Sequence, residues 1–379
     1  MANNNKHTGP NVPALRFPEF SGEWIESKLG DIADFSKGAG ISKDQRSEKG
    51  NPCILYGELY TRYKSEVITN VFSKTALPDS DLVKSKANDI IIPASGETAE
   101  DIATARCVPF DNILLGGDLN IIRLHEQDGK FFSYQLNGVR KYDIATVAQG
   151  VSVVHLHAGD LKGITVKYPS HIADQEKISQ ILGLIDDRIA TQSKIIEEHE
   201  TLLTSLADKL ISSQMANMVL NDCVIARAST MKEGELEPSG AYPAFGASGL
   251  CGYSNEALEE SDSILVTKDG SGVGTCQYAT GAHSFLGTLC SLTAKKGVYL
   301  PYIYYALLNF NFASFKTGLA IPHIYFKDYG KAVIYCPSYD EQVRIASGLE
   351  KIEAKIKSDK ELLKQYQLQK EYLLSRMFI

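Results

Sequence analysis

The chain has 379 residues, enough for two domains that each bury a core. Its 44% hydrophobic and 22% charged content is typical of a globular protein, and no run reaches the roughly 20 apolar residues of a membrane span. The net charge of −7 argues against a strongly basic surface, but residues 171–220 alone hold 4 basic and 8 acidic residues. The rest of the chain is nearly balanced, so either domain can still carry a basic face.

The N-terminal lead-in, residues 1–21, is polar and has no apolar signal core. The 7 cysteines are scattered and form no C-x-x-C pair. We therefore expect reduced thiols, a cytoplasmic location and no metal site.

The first domain is predicted at residues 22–170. Apolar runs of strand length, bounded by turn residues, occur at 53–56, 89–93 and 120–124, and a helix is predicted at 131–142. The domain is therefore expected to be a strand-rich mixture of helix and sheet.

Residues 171–215 are predicted to form a long coiled-coil helix. Apolar residues recur there at alternating steps of four and three, and Gln192 interrupts them near the middle. The predicted seam residues are Ile178, Leu182, Ile185, Ile189, Gln192, Ile196, Leu203 and Leu206.

A second domain is predicted at 216–338 and a second coiled-coil helix at 339–379. The domain contains strand-like runs at 263–267 and 289–293 and a helical segment at 301–308. The seam of the second helix consists of Ile345, Leu349, Ile352, Ile356, Asp359, Leu363, Tyr366 and Leu373. The predicted fold is α+β, with two strand-rich domains and two long helices.

The two halves repeat each other at a nearly constant offset. Gly150, His155 and Pro169 correspond to Gly318, His323 and Pro337 at an offset of 168, which falls to 167 inside the helices. Two such copies related by a pseudo-dyad would pair their helices antiparallel and bring Gln192 and Asp359 into one polar layer. The alternative is that each helix packs only on its own domain.

No catalytic motif recurs in both domains. The glycine-rich loop at 269–274 lacks the later Gly or Lys-Ser/Thr of a phosphate-binding loop, so we interpret it as a tight connection between strands. His155 and His323 have no Cys, Asp or Glu partner at a spacing that recurs in both copies. For these histidines, a structural role and a DNA contact both stay open.

Polar loops carry the remaining candidate chemistry. Their basic, hydroxyl and aromatic groups can hold phosphates and read base edges, although each one taken singly can also be a solvated surface group. The DNA-binding candidates are Lys37, Lys43, Arg46, Arg62, Lys64, Ser95, Thr98, His155, Lys268, Ser271, Lys316, His323, Tyr325 and Lys327.

Three segments together resemble the specificity subunits of type I restriction–modification enzymes. They are the opening at 13–32 with Pro-Ala-Leu-Arg-Phe-Pro-Glu-Phe and Trp24, the Pro-Ser to Gln-Glu-Lys-Ile stretch at 169–178, and the ending Leu-Leu-Ser-Arg-Met-Phe at 373–378. The resemblance covers essentially the whole chain.

The resemblance implies a DNA-reading subunit without catalytic activity. Each domain would read one half of a split DNA site, and the paired helices would set the spacer. Because the two domains differ, an asymmetric target is expected. The implied partners are double-stranded DNA, two methyltransferase subunits and two restriction–translocase subunits, with no membrane. S-adenosylmethionine, ATP and Mg would belong to those partner subunits, and no cofactor is expected in this chain.

Two other functions stay open. One is a protein-interaction scaffold that does not read DNA. The other is an enzyme with a diverged site in the 269–274 loop.

Overall fold

The computed structural model describes residues 11–78, 80, 82–150, 153–318 and 321–379. The first ten residues of the lead-in, and residues 151, 152, 319 and 320 of the repeated loop, lie outside the described residues. The chain forms two compact units, residues 1–191 with 362–379 and residues 192–361. Each unit contains one predicted domain and a part of both long helices.

The first unit alternates short strands with short helices. In chain order its elements are β1 Ile25–Lys28, α1 Leu29–Ile32, β2 Ala33–Lys37, a 3-10 turn Lys43–Gln45, β3 Arg46–Ser47, β4 Asn51–Ile54, α2 Glu58–Thr61, β5 Ser73–Thr75, β6 Asp89–Pro93, β7 Ser95–Gly96, α3 Ala99–Ile102, β8 Arg106–Val108, β9 Leu114–Leu115, β10 Leu119–Leu124, α4 Gly129–Asn137, α5 Lys141–Val147, β11 Val154–His155, α6 Ala158–Lys162 and β12 Thr165–Tyr168.

The central sheet of the first unit runs in the order β2-β10-β6-β8, and all neighbours are antiparallel. Successive residues of a strand point to opposite faces. Ile90 and Ile92 of β6 therefore enter one hydrophobic cluster, while Ile91 enters another. Burial on both faces explains why this strand is continuously apolar.

Two predicted elements of the first domain differ in the structure. The strand predicted at 53–56 is Asn51–Ile54. The helix predicted at 131–142 is two helices, Gly129–Asn137 and Lys141–Val147. The break falls at Gly138, whose φ of −89° and ψ of −110° are not helical.

The second unit repeats this plan. Its elements are β13 Met218–Val219, α7 Leu220–Cys223, β14 Val224–Ala228, a 3-10 turn Glu233–Glu235, β15 Tyr242–Gly246, β16 Gly249–Ser254, β17 Ser263–Thr267, β18 Cys276–Ala279, β19 Ser284–Phe285, β20 Leu289–Ala294, α8 Leu300–Leu308, a 3-10 turn Phe312–Phe315, α9 Phe326–Tyr329 and β21 Val333–Ile334.

The central sheet of the second unit has the same arrangement as that of the first. It runs β14-β20-β17-β18, all antiparallel. Ile264 and Val266 of β17 face one cluster and Leu265 faces another. The central sheets of the two units thus share topology and burial pattern. The neighbouring sheets differ, with the order β3-β5-β4-β9 in the first unit and β16-β15-β19 in the second.

Two long helices pass through both units. The first, which we call the central helix, is Ile172–Ala207 and continues as a π-helical turn at Asp208–Ser212. It therefore ends before the predicted residue 215. The second, the C-terminal helix, is Tyr339–Met377.

Within each unit the two helices run antiparallel. In the first unit Lys370 reaches Asp186 and Arg188 lies over the ring of Tyr366. In the second unit the partners are His199 with Asp359 and Glu200 with Lys360. In the first unit the residue numbers of the C-terminal helix fall from 370 to 366 as those of the central helix rise from 186 to 188, which is the pattern of antiparallel packing. In the second unit His199 contacts Asp359, and Leu203 and Leu206 further along pack on the cluster that contains Ile345 and Leu349, so the direction is the same.

Candidate nucleic-acid interface

In the second unit His323 is held by the Asp269 carboxylate and by the backbone of Thr317. Its Nδ1 lies 2.7 Å from Oδ1 of Asp269, in the loop that follows β17. Its backbone exchanges two hydrogen bonds with Thr317, of 2.7 and 2.9 Å. Because an ionised carboxylate only accepts hydrogen bonds, this contact places a proton on Nδ1.

His155 occupies the same backbone position in the first unit. It exchanges two backbone hydrogen bonds with Gln149, again of 2.7 and 2.9 Å, and its register partner in β7 is Ser95. The backbone arrangement is thus repeated, but a serine stands where the second unit has Asp269. The sequence comparison missed the Asp269 partner because it required the same partner in both copies.

Each of these histidines stacks on a ring two residues further along the chain. The centroids of His155 and His157 are 6.4 Å apart with an interplanar angle of 9°. The corresponding values for His323 and Tyr325 are 6.5 Å and 17°. His157 and Tyr325 are both exposed. His155 is exposed as well, whereas His323 is half-buried. Both units therefore present a stacked pair of rings, in which we call His155 and His323 the inner histidines and His157 and Tyr325 the outer rings.

A cavity of about 300 Å³ adjoins the outer ring of the second unit. Tyr325, Lys268 and Lys327 line it, together with apolar side chains. The Lys327 amine lies 5.4 Å from the centroid of the Tyr325 ring, and the Lys268 amine lies 3.8 Å from Asp269. Two ammonium groups and a phenol therefore share one concave surface.

The other candidates of the second unit lie apart from this cavity. Ser271 and Lys316 are exposed and do not line it. The structure therefore brings together Lys268, His323, Tyr325 and Lys327 of the six candidates in this unit.

The basic candidates of the first unit are exposed surface groups. Arg62 pairs with Glu58 at 3.3 Å and lies 4.9 Å from the centroid of the Phe72 ring. Arg46 donates from Nε to the Lys43 carbonyl. The exposed basic set is Lys37, Lys43, Arg46, Arg62 and Lys64.

The two hydroxyl candidates of the first unit lie on either side of Gly96. Ser95 is half-buried in β7. Thr98 is the N-cap of α3, where its Oγ1 accepts from the Asp101 amide and donates to the Asp101 carboxylate at 2.7 Å. Thr98 therefore has a capping role in the fold.

The glycine-rich loop at 269–274 is closed by its own backbone. The amides of Gly270, Val273 and Gly274 donate to the carbonyls of Pro322, Gly270 and Thr267. Gly270 and Gly274 have positive φ angles of 97° and 93°, which suit glycine in tight turns. Three of the six amides of this loop are therefore used within the fold, which fits a tight connection between strands.

The predicted seam residues of both helices are buried or half-buried. The buried ones are Ile178, Leu182, Ile185, Gln192, Ile196, Ile345, Leu349, Ile356 and Asp359, and the half-buried ones are Ile189, Leu203, Leu206, Ile352, Leu363, Tyr366 and Leu373. Leu210, which continues the same spacing, is exposed because it lies in the π-helical turn, where the regular helical period is lost.

Asp359 lies in a polar layer with Gln192. The side chain of Asp359 is 3% exposed, and it contacts Lys355 at 2.6 Å and His199 at 3.0 Å. The hydrogen bond from Lys355 lowers the pKa of the Asp359 carboxyl, with smaller contributions from Gln192 and His199. His199 thus belongs to this polar layer, although the seam pattern alone did not predict a partner for it.

A repeated glutamine joins each strand-rich domain to a long helix. Gln175 and Gln342 are buried and stand 167 residues apart. In the first unit Oε1 of Gln175 accepts from the Asp128 amide and Nε2 donates to the Pro169 carbonyl. In the second unit Gln342 bonds in the same way to Tyr299 and Pro337. We call these contacts the glutamine joints.

Tyrosine–carboxylate bonds form a second repeated link. The Tyr134 hydroxyl donates to Asp186 at 2.7 Å, and the Tyr305 hydroxyl donates to Glu353 at 2.7 Å. In the first unit Asp186 also pairs with Lys370 of the C-terminal helix. Burial acts to lower the pKa of Lys370, but its carboxylate partners outweigh burial and raise it.

Neither a membrane span nor a metal cluster is found in the part of the chain that the structure describes. No helix formed by the described residues is long and apolar enough to cross a membrane. The described residues also contain no group of three or more His, Cys, Asp or Glu side chains that could hold a metal ion.

Two strand-rich domains of one topology, joined in the same way to two antiparallel helices, define the class of this protein. A family model described as the type I restriction modification DNA specificity domain matches residues 21–201 and 214–367. The chain belongs to this family. The resemblance inferred from the three sequence segments is confirmed.

Relatives and solved structures agree with this assignment. A putative type I specificity subunit of Mycoplasma pneumoniae is 24% identical over 257 residues, which cover 57% of this chain and 67% of the relative. The solved S subunit of a type I restriction–modification system from M. genitalium matches with a TM-score of 0.69 and 20% identity, over 97% of this chain and 99% of that one.

A further structural match is a chain from a study of complex assembly and conformational transition of the type I R-M system. It has a TM-score of 0.57 and 13% identity, and covers 94% of this chain and 97% of its own. The predicted α+β fold, with two strand-rich domains and two long antiparallel helices, is confirmed.

Proposed function

We propose that this chain is the sequence-specific DNA-binding subunit of a type I restriction–modification complex. Each strand-rich domain reads one half of an asymmetric bipartite site. The observation that carries the proposal is one scaffold built twice with different side chains at equivalent loop positions, such as Ser95 and Asp269. A shared scaffold with divergent loops suits two modules of one task and different targets.

The charge distribution supports contact with DNA through local surfaces. The second unit places Lys268, Lys327 and Tyr325 around one cavity. The first unit exposes basic side chains, among them Lys37 at the end of β2 and Lys43 in the 3-10 turn that follows. Lysine, arginine and tyrosine side chains hold phosphates, and arginine and lysine also read guanine in the major groove.

The long helices are the elements that set the spacer between half-sites. The central helix has 36 residues, so at 1.5 Å per residue it is about 54 Å long. A buried polar layer of the kind around Asp359 fixes the register of paired helices at some cost in stability. Fixed register and fixed length together give a fixed distance.

The partners follow from this role. The chain docks two methyltransferase subunits and, in a restricting complex, two restriction–translocase subunits. The complex acts on double-stranded DNA in the cytoplasm. S-adenosylmethionine, ATP and Mg belong to the partner subunits, and this chain contributes no catalytic group.

Methylome sequencing of a host that carries the complex is the primary test. A single asymmetric, two-part motif with a spacer of constant length is expected. Footprinting of the purified methyltransferase complex should then protect two short tracts on either side of an unprotected spacer. Protection that is independent of sequence would favour the protein-interaction scaffold and overturn the proposal.

Calorimetry separates the enzyme alternative. The isolated chain is titrated with S-adenosylmethionine and, in a second run, with ATP and Mg. No heat of binding is expected, because three of the six amides of the 269–274 loop are already hydrogen-bonded and the loop has no Lys-Ser/Thr of a phosphate-binding loop. Saturable binding of either ligand would support an enzyme.

A further inference from the structure

The stacked ring pairs have no assigned role, yet they are repeated in both units. His157 and Tyr325 stand 168 residues apart, and so do the inner histidines His155 and His323. The ring spacings, 6.4 and 6.5 Å, agree closely. A device that is built alike in two domains with different targets suits something that both targets share. The two halves of a DNA site share the sugar–phosphate backbone and differ in their bases.

The outer ring of each pair carries a hydrogen-bond donor. His157 offers a ring N–H and Tyr325 offers a phenolic O–H, and both residues are exposed. Among the described residues, the Tyr325 hydroxyl and the His157 ring nitrogens make no side-chain hydrogen bond that the structure records. Both groups are chemically suited to a phosphate oxygen.

The inner histidine of the second unit holds its outer ring in place. The Asp269 carboxylate holds the His323 ring through Nδ1, and Tyr325 stacks on that ring. In the first unit the backbone of His155 bonds to Gln149 and its register partner is Ser95, so the strand is fixed and the exposed ring is oriented by its stacking on His157. Asp269 and His323 are therefore positioning residues, which act through Tyr325.

Two lysines and one carboxylate, that of Asp269, lie around Tyr325, which leaves a net positive charge that favours an anion. The Lys268 and Lys327 side chains line the same cavity as its ring. Charge-assisted hydrogen bonds are about twice as strong as neutral ones, so a phosphate placed here would bind both the hydroxyl and an ammonium group.

We propose that His157 and Tyr325 are equivalent DNA-backbone contacts, each donating a hydrogen bond to a phosphate group of its half-site independently of sequence. This inference rests on the proposed function and adds to it. It separates a shared part of the interface from the loops that determine sequence preference.

Ring-preserving substitutions test the contact. His157→Phe and Tyr325→Phe remove the donor but keep a stacking ring, and the assembled methyltransferase complex is measured against DNA carrying its own site and against unrelated DNA. Each variant should bind both DNAs about tenfold more weakly, as expected for one lost hydrogen bond to a charged group. The methylated sequence should stay the same. Equal affinity of both variants and the wild type would overturn the contact.

Two further readouts separate this contact from other roles. Lys327→Met should reduce the slope of log affinity against log salt by about one, while Tyr325→Phe, which removes no charge, should leave that slope unchanged. Relaxed methylation at one base of one half-site in the tyrosine variant would mean base reading and would overturn the backbone assignment.

A double-mutant cycle tests the positioning role of Asp269. Asp269→Ala should weaken binding when Tyr325 is present and have little further effect in the Tyr325→Phe background. Additive losses would contradict the positioning role. If the wild-type complex itself prefers no DNA sequence, the proposed function fails, and this outcome is distinct from every result above.

Discussion

At the scale of single residues, the most demanding group in the helix pair is the Asp359 carboxylate. An almost fully buried charge is tolerated only when it is paired and hydrogen-bonded. Lys355 and His199 supply those bonds. The polar layer therefore depends on the charged form of one side chain, and its stability should follow the protonation of that side chain.

Acid should weaken this layer selectively. The pKa of Asp359 is lowered in the folded chain, chiefly by Lys355, so the carboxylate favours folding above the unfolded pKa of about 4. That contribution is lost as pH falls through the lowered pKa. Urea unfolding at several pH values should show Asp359→Asn less stable than wild type near pH 7, with the difference shrinking below about pH 4.

The exposed Asp187 provides a matched control on the other helix. Asp187→Asn should change the free energy of unfolding little at any pH, because solvent-exposed charges contribute little. A difference between Asp359→Asn and wild type that stays constant from pH 7 to pH 3 would contradict the assignment.

Residue-level prediction from the sequence succeeded where the repeat carries information. The constant offset identified His155 and His323 as equivalent, and the structure gives them the same backbone bonds. It could not identify Asp269 as the partner of His323, because 54 residues separate them and the first unit has Ser95 in that place. A contact made through strand register in only one copy leaves no periodic signal.

At the scale of elements, the glutamine joints explain the repeated Pro-Ser to Gln-Glu or Gln-Val segments. One buried amide bonds at once to the backbone that starts the short helix of the domain and to the proline carbonyl before the long helix. A side chain with both a donor and an acceptor at its end is needed, which is a reason for glutamine at 175 and 342.

Loss of a joint should destabilise its own unit. Gln342→Leu leaves the Tyr299 amide and the Pro337 carbonyl unpaired in a partly buried site, which should cost about 1 to 2 kcal/mol. Gln175→Leu should do the same in the first unit, and the exposed Gln367→Leu is the control. Native-state hydrogen exchange should show faster opening confined to the altered unit. Faster exchange in both units alike would contradict a local role.

The sequence predicted the bounds of some elements correctly. Residues 263–267 were predicted as a strand from an apolar run of strand length, and they form β17, which is buried throughout. The helix predicted at 131–142 is divided at Gly138. Phe131 lies in the first of the two short helices and Tyr142 in the second. The π-helical end of the central helix had no sequence signal that we recognised.

At the scale of the whole chain, the sequence repeat predicted the architecture of the protein better than it predicted a target sequence. The central sheets and the glutamine joints recur in both units because they follow from backbone register and from buried side chains, and a stacked ring pair recurs at equivalent backbone positions. Under the proposed function, the bases that are read depend on exposed side chains, for which Lys43 and Ser271 are candidates. A contact with a base would lie outside the chain, so the repeat carries no signal for it. Physical reasoning on the chain alone therefore reaches the class of target and not its bases.

Lengthening both long helices should change the spacer and leave the half-sites unchanged. Seven residues return a paired helix to the same face and add about 10 Å, close to three base pairs of duplex. The insertions are placed after Thr191 and after Glu361, where the two units divide. Three base pairs also rotate the duplex by roughly 100°, so weaker binding is expected together with the longer spacer.

Insertion into one helix alone is the matched control for this experiment. It shifts one seam against the other, so the polar layer around Asp359 and the apolar positions beside it lose their partners. The single-insertion variants should therefore unfold more easily and yield little methylation of any motif. Methylome sequencing of the double-insertion variant decides the matter, because altered half-sites at an unchanged spacer would mean that the helices do not set the distance. The same half-sites at a longer spacer would instead locate base recognition in the two domains and distance in the helices.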